Sequence, residues 1–389
     1  MPVKILVVDD EPDLELLVRQ KFRRHIREGQ FSFVFAHNGV DALQKLHDEH
    51  DVDLVLTDIN MPEMDGLTLL VKLNELNLLL KAVIVSAYGD MENIRTAMNR
   101  GAADFLTKPI DFQDMEITVN KTVQQLQTLR EAVREHDQLV SIRHELDIAS
   151  EIQQSILPST FPPYPERRDF EIFAEMLPAR EVGGDFYDFF LIDDNHLALV
   201  IGDVSGKGVP AALFMAVTRT LLKSTALAGR SPAQCLQRVN NLLCLENASE
   251  MFVTVFYGIL DTRTGNLAYS NGGHNPPYVL RSDGRAELLA GTGDMVLGAL
   301  EQSAYREKTA TLGAGEAIFL YTDGVTEAMD AAGTLFSDQR LAALLGEVNA
   351  ATPEQVIRGV VESVKRHSGE TPQSDDITAL AVRYRGQAA

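Results

Sequence analysis

Along residues 3–109 short runs of Val, Ile and Leu alternate with longer stretches in which apolar side chains recur every three to four positions. The short runs, near 4–10, 31–36, 53–58, 81–87 and 104–108, have the length and β-branched content of strands, and the stretches between them have helical period. Five such units in succession predict a doubly wound parallel sheet, in which polar chemistry collects beyond the carboxyl ends of the strands. From Phe112 to about Leu157 neither Pro nor Gly interrupts the chain. Phe112, Val119, Leu126, Val133 and Val140 fall seven apart, with Met115 and Leu129 in the partner positions, which predicts one long helix with a coiled-coil seam. Thr122 and His136 break the partner positions, and beyond Val140 the apolar phase slips to Leu139, Ile142, Leu146, Ala149 and Ile156. A helix packed only on its own domains is the competing expectation.

Pro158, Pro162, Pro163 and Pro165 end that helix and mark an extended connector. After it the pattern changes class. Three strand-like runs occupy 170–204, helical stretches 208–227 and 231–247, and strands 252–260, 266–271 and 276–280; strands at 317–322 and 377–384 are separated by helical stretches at 337–347 and 353–367. Strands in runs with helices in pairs predict an α+β layered sandwich. The organisation expected is a first domain over 1–120, a helical linker over 112–157 and a second domain over 158–389.

Composition narrows the function. The 389 residues are 45% apolar, enough for two or three cores, and 56 acidic residues against 35 basic ones leave a net charge of −21 without any dense Lys/Arg stripe. Binding a nucleic-acid duplex would have to overcome that repulsion, and no basic helix-turn-helix follows the first domain, so no nucleic-acid partner is expected. Cys235 and Cys244 lie far from any His/Cys spacing typical of zinc or of a disulfide framework, and no apolar run approaches the roughly 18 residues that span a bilayer. These features fit a reducing, cytoplasmic setting with no membrane partner.

In the first domain the strand-like runs end in chemistry. Lys4–Val8 leads into Asp9-Asp10-Glu11, Leu54–Thr57 into Asp58, the fourth run into Ser86, and the fifth into Thr107-Lys108-Pro109. Parallel strands bring these ends to one edge. Clustered carboxylates repel unless a hard cation such as Mg²⁺ shares them, Lys108 can neutralise a phosphate, and Ser86 can donate to it. Singly, each has an ordinary explanation as a cap or a turn residue; their joint placement describes a phosphoacceptor pocket. Through VVDDE, TDINMPEMDG, VSAYGD and DFLTKP, residues 1–120 resemble the receiver domains of bacterial two-component response regulators. The resemblance implies a flavodoxin-like fold and phosphorylation of Asp58 by a sensor histidine kinase. It implies Mg²⁺ held by Asp10, Asp58 and the Asn60 carbonyl with Asp9 assisting, phosphate sensing by Ser86 and Lys108, and Phe105 as the switch aromatic.

The second domain sets carboxylates in small-residue turns: Gly183-Gly184-Asp185, Gly202-Asp203-Val204-Ser205-Gly206-Lys207-Gly208, Thr322-Asp323-Gly324 and Ser374-Asp375-Asp376-Ile377-Thr378. Several aspartates without cysteine or a His-x-x-x-His favour oxygen-liganded Mg²⁺ or Mn²⁺ over zinc, and a pair of such ions would activate water and clamp phosphate oxygens. The Gly-Gly-Asp-Phe run is not a diguanylate-cyclase signature, because Phe186 stands where an acid is needed. Nor is 202–208 a nucleotide phosphate loop, since Gly-Val-Pro follows Lys207.

Through ELDIASEIQQSILP, REVGGDFYDFF, IGDVSGKGVPAALFMA, NGGHNPPYVL, YTDGVTEA and SDDIT, residues 145–385 resemble PPM-type protein phosphatases of the stage II sporulation protein E and sigma-factor regulatory branch. The resemblance implies two central antiparallel sheets flanked by helices, and two Mn²⁺ or Mg²⁺ ions. Asp203 would bridge both, the Val204 carbonyl and Asp185 would serve one, and Asp323 with Asp375 the other. Asp376 would stand behind them, Gly206 and Gly208 would shape the loop, and His274 would be structural. The implied reaction is hydrolysis of phosphoserine or phosphothreonine without a phosphoenzyme. The implied substrate is a phosphorylated anti-sigma-factor antagonist in a partner-switching pathway, with receiver control passing along the linker of a homodimer. A phosphatase-fold adaptor that binds a sigma factor or its regulator is the alternative, disfavoured because the acids are intact.

Overall fold

Strands β1 (Val3–Val8), β2 (Phe31–Ala36), β3 (Leu54–Asp58), β4 (Lys81–Ala87) and β5 (Asp104–Lys108) run all parallel in the order β2-β1-β3-β4-β5. They belong to the first of two compact units, Met1–Ile142 and Arg143–Ala389. The structure is a computed structural model that describes residues 2–386 except His50, Asn77, Leu78, Glu246, Asn349 and Ala350. Between the strands come α1 (Pro12–Lys21), α2 (Arg23–Arg27), α3 (Gly39–Asp48), α4 (Gly66–Glu75) and α5 (Met91–Asn99), followed by α6 (Phe112–Ile156). Successive strand residues point to opposite faces, so Leu6, Val8, Val55 and Ile84 pack with Ala42, Leu46, Leu69 and Ala97 of α3–α5. Ile5, Val7, Leu54, Leu56 and Val83 pack on the other face with Val18 and Phe22 and with Met115 and Val119 of α6. Burial on both faces is why the strands read as continuous apolar runs rather than alternating ones.

The long helix forms as expected, but its apolar strip is divided. Met115, Val119 and Leu126 are buried within the first unit, and Arg130 is held there by an ion pair to Asp53 and a 2.8 Å bond to the Leu79 carbonyl. The first half of the anticipated seam is therefore consumed by the unit's own core, as the competing expectation had it. Leu129, Val133, Leu139, Val140 and Ile142 remain exposed.

The second unit holds β6 (Phe170–Leu177), β7 (Phe186–Asp193), β8 (His196–Val204), α7 (Val209–Ala226), α8 (Pro232–Leu245), β9 (Val253–Asp261), β10 (Asn266–Gly272), β11 (Tyr278–Leu280), β12 (Ala286–Leu288), β13 (Lys308–Thr311), β14 (Ala317–Tyr321), α9 (Asp323–Thr326), α10 (Asp338–Glu347), α11 (Pro353–Ser368) and β15 (Ile377–Tyr384). Two antiparallel sheets, β13-β10-β9-β8-β7 and β12-β11-β14-β15-β6, share one apolar cluster that includes Phe186, Leu199, Ile201, Ile318, Leu320, Leu380 and Val382. Leu222, Leu236 and Val239 of α7 and α8 join that cluster, while Phe319, Tyr321 and Ala381 face Leu341, Val356 and Val360 of α10 and α11. This is the helix-flanked double sheet that the resemblance implied.

Three short elements, β12, β13 and α9, escaped the sequence pattern because three or four residues hold no period; β13 is Lys-Thr-Ala-Thr, with no apolar run at all. The strand expected from 276 begins at Tyr278, since Pro276 and Pro277 lack the N–H a ladder needs. Among the described residues no helix is long and apolar enough to cross a membrane.

Candidate functional sites

In the first unit the parallel register sets the ends of β1 and β3 side by side, and one oxygen from each of Asp9, Asp10 and Asp58 lies within 4.8 Å of the others. Lys108, at the end of β5, places Nζ 2.8 Å from Asp58 Oδ2, 3.1 Å from Asp9 Oδ2 and 3.3 Å from Glu11 Oε1. Burial alone would lower the Lys108 pKa, but bonding and charge from Asp58 and Asp9 outweigh it and hold the ammonium firmly charged. Burial pushes the Asp9 carboxyl up, against the Glu11 backbone and Lys108. Asp58 is nearly sealed at 7% exposure, its Oδ1 accepting from Ile59 N at 2.7 Å, and Ser86 is fully buried with Oγ 3.4 Å from Asp90 Oδ2. Asn60 is exposed beside Asp58, and Phe105 is 38% exposed. The structure thus gathers Asp9, Asp10, Asp58 and Lys108 at one edge, with Ser86 at the end of the strand adjoining β3.

In the second unit the register does the same across two sheets. Phe186 pairs with Gly202 in antiparallel β7 and β8, so Asp185 and Asp203, one step further on each chain, meet at the sheet edge. Tyr321 pairs with Ala379 in β14 and β15, which brings Thr322-Asp323 beside Asp375-Asp376-Ile377-Thr378. Thr322 ties the two edges together: its Oγ1 donates to Asp185 Oδ2 at 2.7 Å and accepts from Thr378 N at 3.0 Å. Asp376 accepts from Ala179 N at 2.8 Å and Gly184 N at 2.7 Å, so it orders the Asp185 turn from behind. A Cβ on Gly183 would lie 2.2 Å from Asp376 Oδ2, which is why no larger residue fits there. The Val204 carbonyl lies against Gly184, where a Cβ would come within 2.9 Å of it.

The loop from Ser205 to Gly208 turns back through Gly206 and Gly208, at φ 88° and 77°, backbone that residues with a side chain seldom adopt. Lys207, carried on that loop, sets Nζ 2.9 Å from Asp375 Oδ2 and donates to the Ser374 carbonyl.

Burial comes first in the electrostatics, and crowding of like charges adds to it. Asp203 is pushed up to about 7 by burial and by the charges of Asp323 and Asp375, against a hydrogen bond shared with Asp185. Asp185, 2% exposed, is raised well above the usual carboxylate range by burial, Asp203 and Asp376. Asp323 is raised by burial, Glu327 and Asp375. An all-oxygen set of mutually repelling carboxylates is the donor chemistry that hard divalent cations relieve, so these residues fit such ions.

His274 bonds two residues that adjoin the carboxylate edge, Thr254, which pairs with Asp203 across β8 and β9, and Tyr321, which precedes Thr322. It is 5% exposed, with Nε2 3.1 Å from the Tyr321 carbonyl and Nδ1 2.8 Å from Thr254 Oγ1, while Asn271 bonds both its N–H and its C=O. The ring braces β14 against β9, the structural part anticipated for it. Thr322 and Gln153 are contributors that the sequence reading did not single out. Both lie inside quoted motifs, but their contacts span 137 and 30 residues and leave no local signal.

Comparison with known proteins follows the same division. The family model described as Response regulator receiver domain matches residues 5–120, and that described as Stage II sporulation protein E (SpoIIE) matches residues 193–385. The second match begins after Asp185, whose placement rests on the contacts above. The chain is 36% identical over 270 residues to Protein IcfG of Synechocystis sp., which covers 62% of this chain and 42% of that protein. It is 29% identical over 263 residues to Phosphoserine phosphatase RsbU of Bacillus subtilis, covering 67% of this chain and 75% of the relative. The chain thus spans less than half of one of these relatives and three quarters of the other. The solved SiaA-PP2C domain of Pseudomonas aeruginosa aligns with a TM-score of 0.57 at 26% identity, over 63% of this chain and 98% of that one. The chain therefore belongs to the response regulators, with an N-terminal receiver domain joined to a C-terminal phosphatase domain of the SpoIIE-type PP2C family.

Proposed function

We propose that the second unit hydrolyses phosphoserine or phosphothreonine on a protein and that phosphorylation of Asp58 in the receiver sets its rate. The observation that carries this reading is the convergence of Asp185, Asp203, Asp323 and Asp375 from two sheets onto one edge, with three of them raised by burial and one another's charge. Asp185, Asp203, the Val204 carbonyl, Asp323 and Asp375 would hold two Mn²⁺ or Mg²⁺ ions, which would supply activated water and charge for the phosphate oxygens. Thr322 and Asp376 fix the direction of Asp185, and Gly206 with Gly208 lets the loop after Asp203 turn back. The likeness to a relative named as a phosphoserine phosphatase supports the reaction class.

In the receiver, Mg²⁺ would be held by Asp10, Asp58 and the Asn60 carbonyl with Asp9, while Lys108 and Ser86 meet the phosphoryl group donated by a sensor histidine kinase. The helix α6 runs without a break from the first unit into the second, and it is the route by which the receiver would act. Exposed Leu129, Val133, Leu139, Val140 and Ile142 would form the contact of a homodimer. The substrate we favour is a phosphorylated anti-sigma-factor antagonist of a partner-switching pathway, by resemblance to the sigma-factor regulatory branch.

The test is turnover of a phosphoserine-bearing antagonist protein with Mn²⁺, comparing the wild type with Asp203→Asn, each with and without beryllofluoride. Metal-dependent release of phosphate that disappears in the variant and changes with beryllofluoride supports the proposal. Retained binding of the antagonist without any turnover overturns it in favour of an adaptor.

A further inference from the structure

The last turns of α6 reach the carboxylate edge through one buried amide. Gln153 is 6% exposed; its Nε2 donates to the Gly183 carbonyl at 2.6 Å and its Oε1 accepts from Gly183 N at 3.0 Å. A peptide N–H can only donate and a peptide C=O can only accept, so both ends of the side-chain amide are fixed by their partners. Asp185 stands two residues further along the same turn. From the opposite side Asp376 accepts from Gly184 N at 2.7 Å and Asp185 N at 3.4 Å. The Gly183–Asp185 segment is therefore clamped between a helix side chain and a carboxylate. The helix end is itself fixed to the sheets, since Leu157 is buried in their shared core and the Tyr187 hydroxyl donates to the Pro158 carbonyl at 2.7 Å.

We propose that Gln153 is a positioning residue of the phosphatase: Asp185 is held in its metal-binding place only while Gln153 is docked on Gly183. An α-helix advances about 1.5 Å and turns about 100° per residue, so a slide or rotation of α6 by a single residue removes both bonds at once. Gln153 thereby makes the state of the helix legible at a metal ligand. This inference rests on the metal reading of Asp185 given above.

The experiment titrates Mn²⁺ by calorimetry into the full chain carrying Asp10→Asn and Asp58→Asn, which leaves Asp9 alone of the three clustered receiver carboxylates. In that background Gln153→Met, of similar length and apolar, is compared with Gln153→Glu and with Asp185→Asn. Partners that orient metal ligands change affinity about 10- to 100-fold when lost, and Gln153→Met is expected at the lower end, about tenfold weaker. Half-maximal activation of phosphate release should move to higher Mn²⁺ by the same factor, with turnover restored at saturating Mn²⁺, a rescue that a general loss of folding would not give. Mn²⁺ affinity at the wild-type value in Gln153→Met, with Asp185→Asn impaired, overturns the proposal. Unimpaired binding in Asp185→Asn overturns the metal reading, and the inference with it. Should Gln153→Met be recovered unfolded, Gln153→Glu decides: it keeps an acceptor for Gly183 N but has no donor for Gly183 O. Weakened binding then supports the proposal, and unchanged binding ends it.

Discussion

Thr322 Oγ1 donates a 2.7 Å hydrogen bond to Asp185 Oδ2 across 137 residues of chain, joining the end of β14 to the turn before β7. Both groups are buried, and the same hydroxyl accepts from Thr378 N at 3.0 Å, so one oxygen aims a carboxylate and closes a strand edge.

Thr322→Val keeps the shape and removes the hydroxyl. Asp185 loses a donor and Thr378 N loses an acceptor, each a buried polar group whose orphaning costs about 1–3 kcal/mol. Mn²⁺ affinity should fall about tenfold or more, as for other groups that orient metal ligands, while Thr322→Ser retains most of it. Titration calorimetry on the three proteins checks this, and equal affinity in Thr322→Val would show that Asp185 is aimed without Thr322.

Lys207 is expected to compete with a cation at Asp375, because its Nζ already sits 2.9 Å from Oδ2. The pair is partly exposed, with side chains at 39% and 37%, which limits its worth to about 1 kcal/mol, or roughly fivefold in an equilibrium constant. Lys207→Gln should therefore tighten Mn²⁺ binding by no more than about fivefold. Weaker binding in that variant would mean that Lys207 supports the site instead of competing for it.

The receiver pocket was legible in the sequence because a parallel sheet sends every strand end to one edge. Knowing that Asp9, Asp58, Ser86 and Lys108 each close an apolar run is nearly enough to place them together. The second centre was half legible. Glycine-flanked aspartates announced a group of carboxylates, but Asp185 meets Asp203 only through the β7–β8 register, and Thr322 meets Asp185 only through the closure of two sheets. The heptad strip misled in part for a related reason: Met115 and Val119 satisfy a seam and a domain core equally well, and only tertiary packing chooses between them.

Asp188 on β7 illustrates a residue that pattern alone leaves silent. It is 1% exposed, with Arg219 Nη2 at 2.8 Å and Lys223 Nζ at 3.6 Å from its Oδ2, so a carboxylate three residues after Asp185 fastens α7, the helix that follows the Asp203 loop. Burial raises its pKa, against the pull of both cations. Removing one partner of a buried pair costs about 3–5 kcal/mol, so Asp188→Ala should lower the melting temperature of this unit by at least about 6 °C. Asp188→Ala combined with Arg219→Ala should cost less than the sum of the single changes. Thermal unfolding of the four proteins closes the cycle, and strict additivity would mean that the pair is not coupled.

His274 gives the second unit a built-in acid sensitivity. The Tyr321 carbonyl requires a proton on Nε2, which leaves Nδ1 to accept from Thr254 Oγ1; a second proton would put a charged ring inside the core. Burial accordingly lowers the His274 pKa to about 4, from 6.5 in an exposed ring. Because the folded value is the lower one, the unfolded chain takes up the proton first. The stability that the neutral ring contributes is whole above pH 6.5 and drains away as the pH falls toward about 4. Between about pH 7.5 and pH 5 the loss is about 2 kcal/mol from this residue alone. His274→Gln, which cannot titrate, should shrink the drop in unfolding free energy over that interval by about this amount, whatever the substitution does to stability near neutrality. Denaturant unfolding of both proteins at the two pH values measures the difference directly, with the titrating carboxylates common to both and cancelling. An identical slope in the variant would show that the ring accepts its second proton in place.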